Sequence, residues 1–253
     1  MKTLRLLFSW LIIALATTEC SGTISKTDNP SDPPKSSGRK AVVYLAGDST
    51  CAPKSESDRP KYGWGEKFAS FLNGNKVENK AVGGKSTKTF RSGGQWENIL
   101  KSVLPGDVIL IQFGHNDEST NSLDDRGTTP EEYYQNLCRY IAEAKSKEAI
   151  PVILTPICRR DFADGAPKHT HLSYPDQAKK AASDKVAVLL DIEQLTYDWL
   201  ATLGEEASAS RFMVSVDGKD NTHLTELGAT EVAEIVSKAL KTCGNSALES
   251  LVK

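Results

Sequence analysis

Ser49 follows Gly47-Asp48 early in the chain, while Asp220 and His223 stand three apart near its end. A serine hydroxyl is a poor nucleophile until a base takes its proton, and an imidazole that titrates near neutrality can take it. That imidazole needs a carboxylate on its other nitrogen, and Asp220 is close enough in sequence for one turn to bring both side chains to the same side. Acyl chemistry also needs donors for the charge that develops on the attacked oxygen. Gly84 offers a backbone N–H that can approach closely because it lacks a Cβ. The Asn116 amide offers a second donor and the Ser49 N–H a third. Taken singly, each of these signals is weak, since Gly-Asp-Ser is an ordinary turn and Asp-x-x-His an ordinary helix entry.

The elements between them raise their weight. Ala41–Ala46, Asp107–Gly114, Pro151–Pro156 and Val186–Asp191 are continuous apolar runs of the kind buried on both sheet faces, and Val77–Val82 is a weaker fifth. Helical stripes fall between them: Trp64, Phe68, Phe71 and Leu72; then Trp96, Ile99, Leu100, Val103 and Leu104. Pro130-Glu131-Glu132 opens a further helix, Pro175 another, and the last runs from Glu226 through Leu240. Strands alternating with helices predict βαβ units and a parallel sheet. Ligands of such sheets lie beyond the carboxyl ends of the strands. Gly47-Asp48-Ser49, Gly83-Gly84 and Gly114-His115-Asn116-Asp117 each sit just there.

The chain has 253 residues, 25% charged and 39% hydrophobic, with a formal net charge of −2. That balance suits a globular domain and gives no general electrostatic case for nucleic acid. Lys2 and Arg5 before Leu6–Ala16 read as a signal peptide over residues 1–16, too short to span a bilayer comfortably. Cys20 leaves open a lipid-anchored alternative to plain secretion. Residues 17–40 offer little to bury and read as a disordered linker. The domain is expected over residues 41–243, with a tail over 244–253. Cys51, Cys138, Cys158 and Cys243 allow three complete disulfide pairings, among which the sequence does not choose. His169 and His171, with Asp164 and Asp176, lack the spacing of a zinc site, so no metal is expected. Asp48, Asp117 and His115 read as scaffold, and Trp64 and Trp96 as core.

Five stretches together resemble the SGNH (GDSL) hydrolase family. They are Tyr44–Thr50, Gly63-Trp64-Gly65-Glu66, Asn79–Ser86, Phe113–Asp117 and Asp220-Asn221-Thr222-His223. The likeness covers nearly the whole chain after the linker and looks strongest for the rhamnogalacturonan acetylesterase branch, carbohydrate esterase family 12. It implies a flavodoxin-like three-layer α/β/α sandwich around a five-stranded parallel sheet. It also implies Ser49 as nucleophile, His223 as base, Asp220 as its orienter, and Ser49, Gly84 and Asn116 as oxyanion donors. No cofactor is implied. The implied activity is hydrolysis of acetyl esters on plant cell-wall polysaccharide by a secreted monomer that meets neither nucleic acid nor the membrane interior. Lys85 and Arg159 are the candidate substrate contacts, since a uronate-rich polymer carries carboxylates that cations bind strongly. The competing expectation keeps the triad and changes the substrate to a lipid or thioester acyl chain. The polar loops Thr50–Tyr62, Glu118–Thr129 and Arg159–Tyr174 favour sugar.

Overall fold

The computed structural model describes residues 38–121 and 123–253. The expected signal peptide, most of the linker and Cys20 lie outside the described residues. In chain order the elements are β1 (Val43–Gly47), β2 (Val77–Asn79), α1 (Thr87–Ser92), α2 (Gln95–Ser102), β3 (Val108–Gln112), α3 (Pro130–Ser146) and β4 (Ile150–Leu154). A small hairpin follows, β5 (Phe162–Ala163) and β6 (Ala166–Pro167). The chain ends with α4 (Tyr174–Asp184), β7 (Val188–Leu190), α5 (Ile192–Ser208), α6 (Val214–Asp217), α7 (Glu226–Lys241) and α8 (Ser246–Glu249).

Five strands form one parallel sheet in the order β2-β1-β3-β4-β7, the doubly wound flavodoxin-like arrangement. Strand side chains alternate between faces. Val43, Leu45, Val108, Leu110, Val152 and Leu154 pack on Trp64, Phe68, Leu200 of α5 and Ala229, Val232 and Val236 of α7. Tyr44, Ala46, Ile109, Ile111 and Ile153 face Ile99 of α2, Leu137 and Ile141 of α3 and Ala178 and Ala181 of α4. The three-layer α/β/α sandwich expected from the sequence is therefore the observed fold. Strand order reverses between β1 and β3, and the carboxyl ends of β1, β2 and β3 open at that crevice.

Three expectations need correction. The Trp64–Leu72 stripe is not an α-helix but two 3-10 turns, Trp64–Glu66 and Phe68–Phe71. Its apolar residues are buried as the pattern requires. The backbone, however, is drawn away: the Trp64 N–H goes to the Thr50 carbonyl at 2.9 Å, and a Cβ on Gly63 would lie 2.1 Å from the Ala52 carbonyl. Second, residues 244–253 are not a free tail, because Leu248, Leu251 and Val252 are buried and Val252 bridges to Leu72. Third, among the described residues Cys51, Cys138, Cys158 and Cys243 are free thiols, so none of the three pairings forms. Helix α5 is unanticipated, although Ile192, Thr196 and Leu200 repeat every four residues along its buried side.

Candidate active site

Ser49 stands just past β1, on a turn that the sequence builds tightly. A Cβ on Gly47 would lie 2.8 Å from the Gln112 carbonyl, so only glycine lets the end of β1 press against β3. Asp48 is fully buried, and its Oδ1 accepts from the Thr50 N–H at 2.9 Å and the Thr50 hydroxyl at 2.7 Å. Its carbonyl accepts the N–H groups of Cys51 and Ala52. Lys54 donates its ammonium to the Ser49 carbonyl. The turn is thus fixed from several sides while the Ser49 hydroxyl faces the crevice.

The partner side chains arrive on the loop before α7. His223 Nε2 lies 3.0 Å from Ser49 Oγ, and His223 Nδ1 lies 2.8 Å from Asp220 Oδ2. Asp220 Oδ1 accepts the N–H groups of Thr222 at 3.0 Å and His223 at 2.9 Å. Burial pushes the Asp220 carboxyl up, but those amides and the imidazole more than offset it and hold the group below its ordinary range. A carboxylate accepts only, so Nδ1 carries the ring proton and Nε2 is left to accept from the Ser49 hydroxyl. Arg160 clamps the same loop. Its backbone N–H and its guanidinium reach the Asn221 carbonyl and Oδ1, while the remaining guanidinium nitrogens hold Ser208 Oγ and the Glu205 carbonyl.

The expected oxyanion donors follow the carboxyl ends of β1, β2 and β3. Among the described residues neither the Ser49 nor the Gly84 N–H has an acceptor. Asn116 Nδ2 donates one hydrogen to the Lys85 carbonyl at 3.0 Å and keeps a second, while its Oδ1 accepts from Arg126 at 3.1 Å. Gly84 is glycine for a different reason than close approach. A Cβ there would meet nothing within 4 Å, but its φ is +75°, which L side chains rarely adopt.

The two candidate substrate contacts differ. Lys85 presents its carbonyl to Asn116, and its ammonium has no partner among the described residues. Arg159 is not a free cation, since its guanidinium is ion-paired with Glu118 and also donates to the Thr170 carbonyl. That pair closes a polar layer beneath the site. His171 is fully buried, with Nε2 on the Ile157 carbonyl at 2.8 Å and Nδ1 facing Glu118 at 3.2 Å. His115 packs edge-on against it. The Nδ1 of His115 lies 3.3 Å from Asp48 Oδ2, yet without hydrogen-bonding geometry. Burial drives His115 down to about 4, the Asp48 carboxylate opposing. Asp117 is also buried; burial raises its carboxyl to about 7 against hydrogen bonds from Thr87 and Thr128. His169 pairs with Glu193 and stacks on Tyr197, and Trp64 and Trp96 are buried. Among the described residues no group of three or more potential metal ligands converges.

Sequence reasoning missed Lys54 and Arg126. Each is a cation in a loop, indistinguishable by type or spacing from solvated charge.

The chain has counterparts among known proteins. The profile of the GDSL-like Lipase/Acylhydrolase family matches residues 45–230. The chain is 36% identical over 222 residues to the rhamnogalacturonan acetylesterase RhgT of Bacillus subtilis, covering 83% of this chain and 94% of that one. It is 27% identical over 230 residues to a rhamnogalacturonan acetylesterase of Emericella nidulans, covering 83% and 89%. The solved structure of YxiM from Bacillus subtilis superposes with a TM-score of 0.74 at 28% identity, covering 83% of this chain and 58% of that chain. The profile match spans most of the domain, and RhgT is matched over most of both chains: the chain belongs to the GDSL-like lipase/acylhydrolase family of carboxylic ester hydrolases.

Proposed function

We propose that the protein is a carbohydrate O-acetylesterase that removes acetyl groups from plant cell-wall polysaccharide, rhamnogalacturonan foremost, through Ser49, His223 and Asp220. One observation carries the reading: a hydroxyl and an imidazole 174 residues apart meet at 3.0 Å, with a carboxylate on the far ring nitrogen. The naming of RhgT and the Emericella nidulans relative supports the substrate class. So do the polar loops bordering the crevice, since a long acyl chain would need an apolar lip.

Ser49 Oγ attacks the acetyl carbonyl as His223 Nε2 takes its proton. The carbonyl π pair moves onto oxygen, where the N–H groups of Ser49, Gly84 and Asn116 receive it. The tetrahedral adduct collapses, the C–O bond to the sugar breaks, and His223 returns the proton to the departing alkoxide. Water then attacks the acetyl-serine with His223 again as base, releasing acetate and restoring Ser49. Asp220 keeps its charge throughout and stabilises the imidazolium. Export of the chain belongs to the same reading and rests on residues 1–16.

Acetate release from acetylated rhamnogalacturonan, other pectins and xylan tests the substrate. Ser49→Ala is expected to lower turnover by at least about 10⁴-fold with the melting curve retained. Undiminished release by that variant would refute the nucleophile. A preference for long-chain over acetyl esters would turn the substrate reading to lipids.

A further inference from the structure

We infer that Arg126 is a positioning residue for the Asn116 amide, holding its N–H toward the oxyanion and strengthening it as a donor. This rests on the assignment of Asn116 proposed above. A carboxamide can sit in two orientations that exchange its oxygen and nitrogen, and only one presents a donor. Two neighbours select it. The Lys85 carbonyl, 3.0 Å from Nδ2, demands an N–H, and the Arg126 guanidinium, 3.1 Å from Oδ1, demands an oxygen. The two contacts select the same orientation, and the cationic one also draws electron density out of the amide nitrogen through the C–N bond. Its remaining hydrogen becomes more acidic and a better partner for negative charge.

The loop around Arg126 is built for this presentation. Its Nη2 donates to Asp124 Oδ2 at 2.7 Å, which fixes the plane of the fork. The Thr128 N–H returns to the Asp117 carbonyl at 2.7 Å, and a Cβ on Gly127 would lie 2.3 Å from the Ser119 carbonyl. The chain therefore folds back over Asn116 with glycine needed beside Arg126. The Arg126 Nε is buried with no acceptor among the described residues. The guanidinium's bonded nitrogens are committed to Asn116 and Asp124. Lys54, the other cation behind the site, bonds the Ser49 carbonyl, which polarises the following peptide and not the Ser49 N–H.

Charge on the attacked oxygen exists only near the transition state, so the effect belongs to kcat and not to KM. Arg126→Met keeps most of the aliphatic stem and removes the donors. It is expected to lower kcat about 10–100-fold, below the on-the-order-of 10²–10³ for losing an oxyanion donor outright. The loss should be the same on 4-nitrophenyl acetate, which has no sugar, as on an acetylated oligosaccharide, with KM unchanged on both. In an Asn116→Ala background the same substitution should change nothing further. A full kcat for Arg126→Met, an equal loss in both backgrounds, or a loss confined to KM on the oligosaccharide would each overturn the inference. If Asn116→Ala itself retains full activity, the oxyanion assignment fails and takes this inference with it.

Discussion

Both carboxylate oxygens of Asp220 are committed, one to two backbone amides and one to the His223 ring. In Asp220→Asn one oxygen becomes an NH2 group. Facing the backbone it would oppose two donors; facing the ring it would drive the proton from Nδ1 to Nε2 and leave Ser49 without a base. A kcat loss on the order of 10⁴ is expected, with KM little changed, read by steady-state kinetics. Because its carboxyl titrates below the ordinary range, Asp220 stays ionised across neutral and mildly acidic pH. Its contribution to stability is present above the unfolded carboxylate value and lost as pH falls through the folded one. Gly84 makes a different point at the same scale. The Cβ of Gly84→Ala has room, so the cost is the left-handed backbone, about 1 kcal/mol. The expected loss of activity exceeds what that small fall in urea-unfolding free energy explains, because relief of the strain turns the N–H away from the crevice.

Elements hold these residues in register through a buried chain of polar groups. The Trp64 indole donates to Gln112 Oε1 at 2.7 Å, Gln112 Nε2 donates to Thr50 Oγ1 at 3.1 Å, and Thr50 donates to Asp48. One 3-10 turn, the end of β3 and the turn after β1 are thereby tied together under Ser49. Gln112→Leu leaves the indole N–H buried and unpaired. A loss of about 1–3 kcal/mol in urea unfolding is expected, with the catalytic loss smaller than that of Ser49→Ala; an unchanged midpoint would show that the chain of bonds contributes nothing. This level was only partly legible in sequence. Apolar runs located β1, β3 and β4, which are buried on both faces and need no polar alternation, and also β7, which is only half-buried at the sheet edge. The Trp64–Leu72 spacing identified the buried side chains but misjudged the backbone, since periodicity does not reveal that Thr50 would capture the Trp64 N–H. The motif stretches located Ser49, Gly84, Asn116 and the Asp220–His223 pair. Lys54 and Arg126 stayed hidden, as their roles depend on which carbonyl or amide the fold sets opposite them.

At the scale of the whole molecule, the fold brings the turn after β1 to the loop before α7 and buries two titratable groups whose effects oppose. His115, driven down to about 4 from an unfolded value of 6.5, stays neutral where the unfolded chain takes up a proton. Its burial therefore costs stability as pH falls through 6.5 toward 4. Asp117, raised to about 7 from 3.8, keeps its proton where the unfolded chain has lost it. Its burial costs stability as pH rises from 3.8 toward 7. Between pH 5 and 7 each amounts to about 2–3 kcal/mol in opposite senses, so they largely cancel in the native chain. Removing one should expose the other. Asp117→Asn is expected to lose stability between pH 7 and pH 5 relative to the native protein, and His115→Gln to gain it, each judged by urea unfolding of one variant at both pH values so that the offset of the substitution itself drops out. Variants whose pH slopes both match the native slope would mean that neither group changes its protonation on folding, and that the polar layer beneath Ser49 is solvated well enough to titrate as in the open chain.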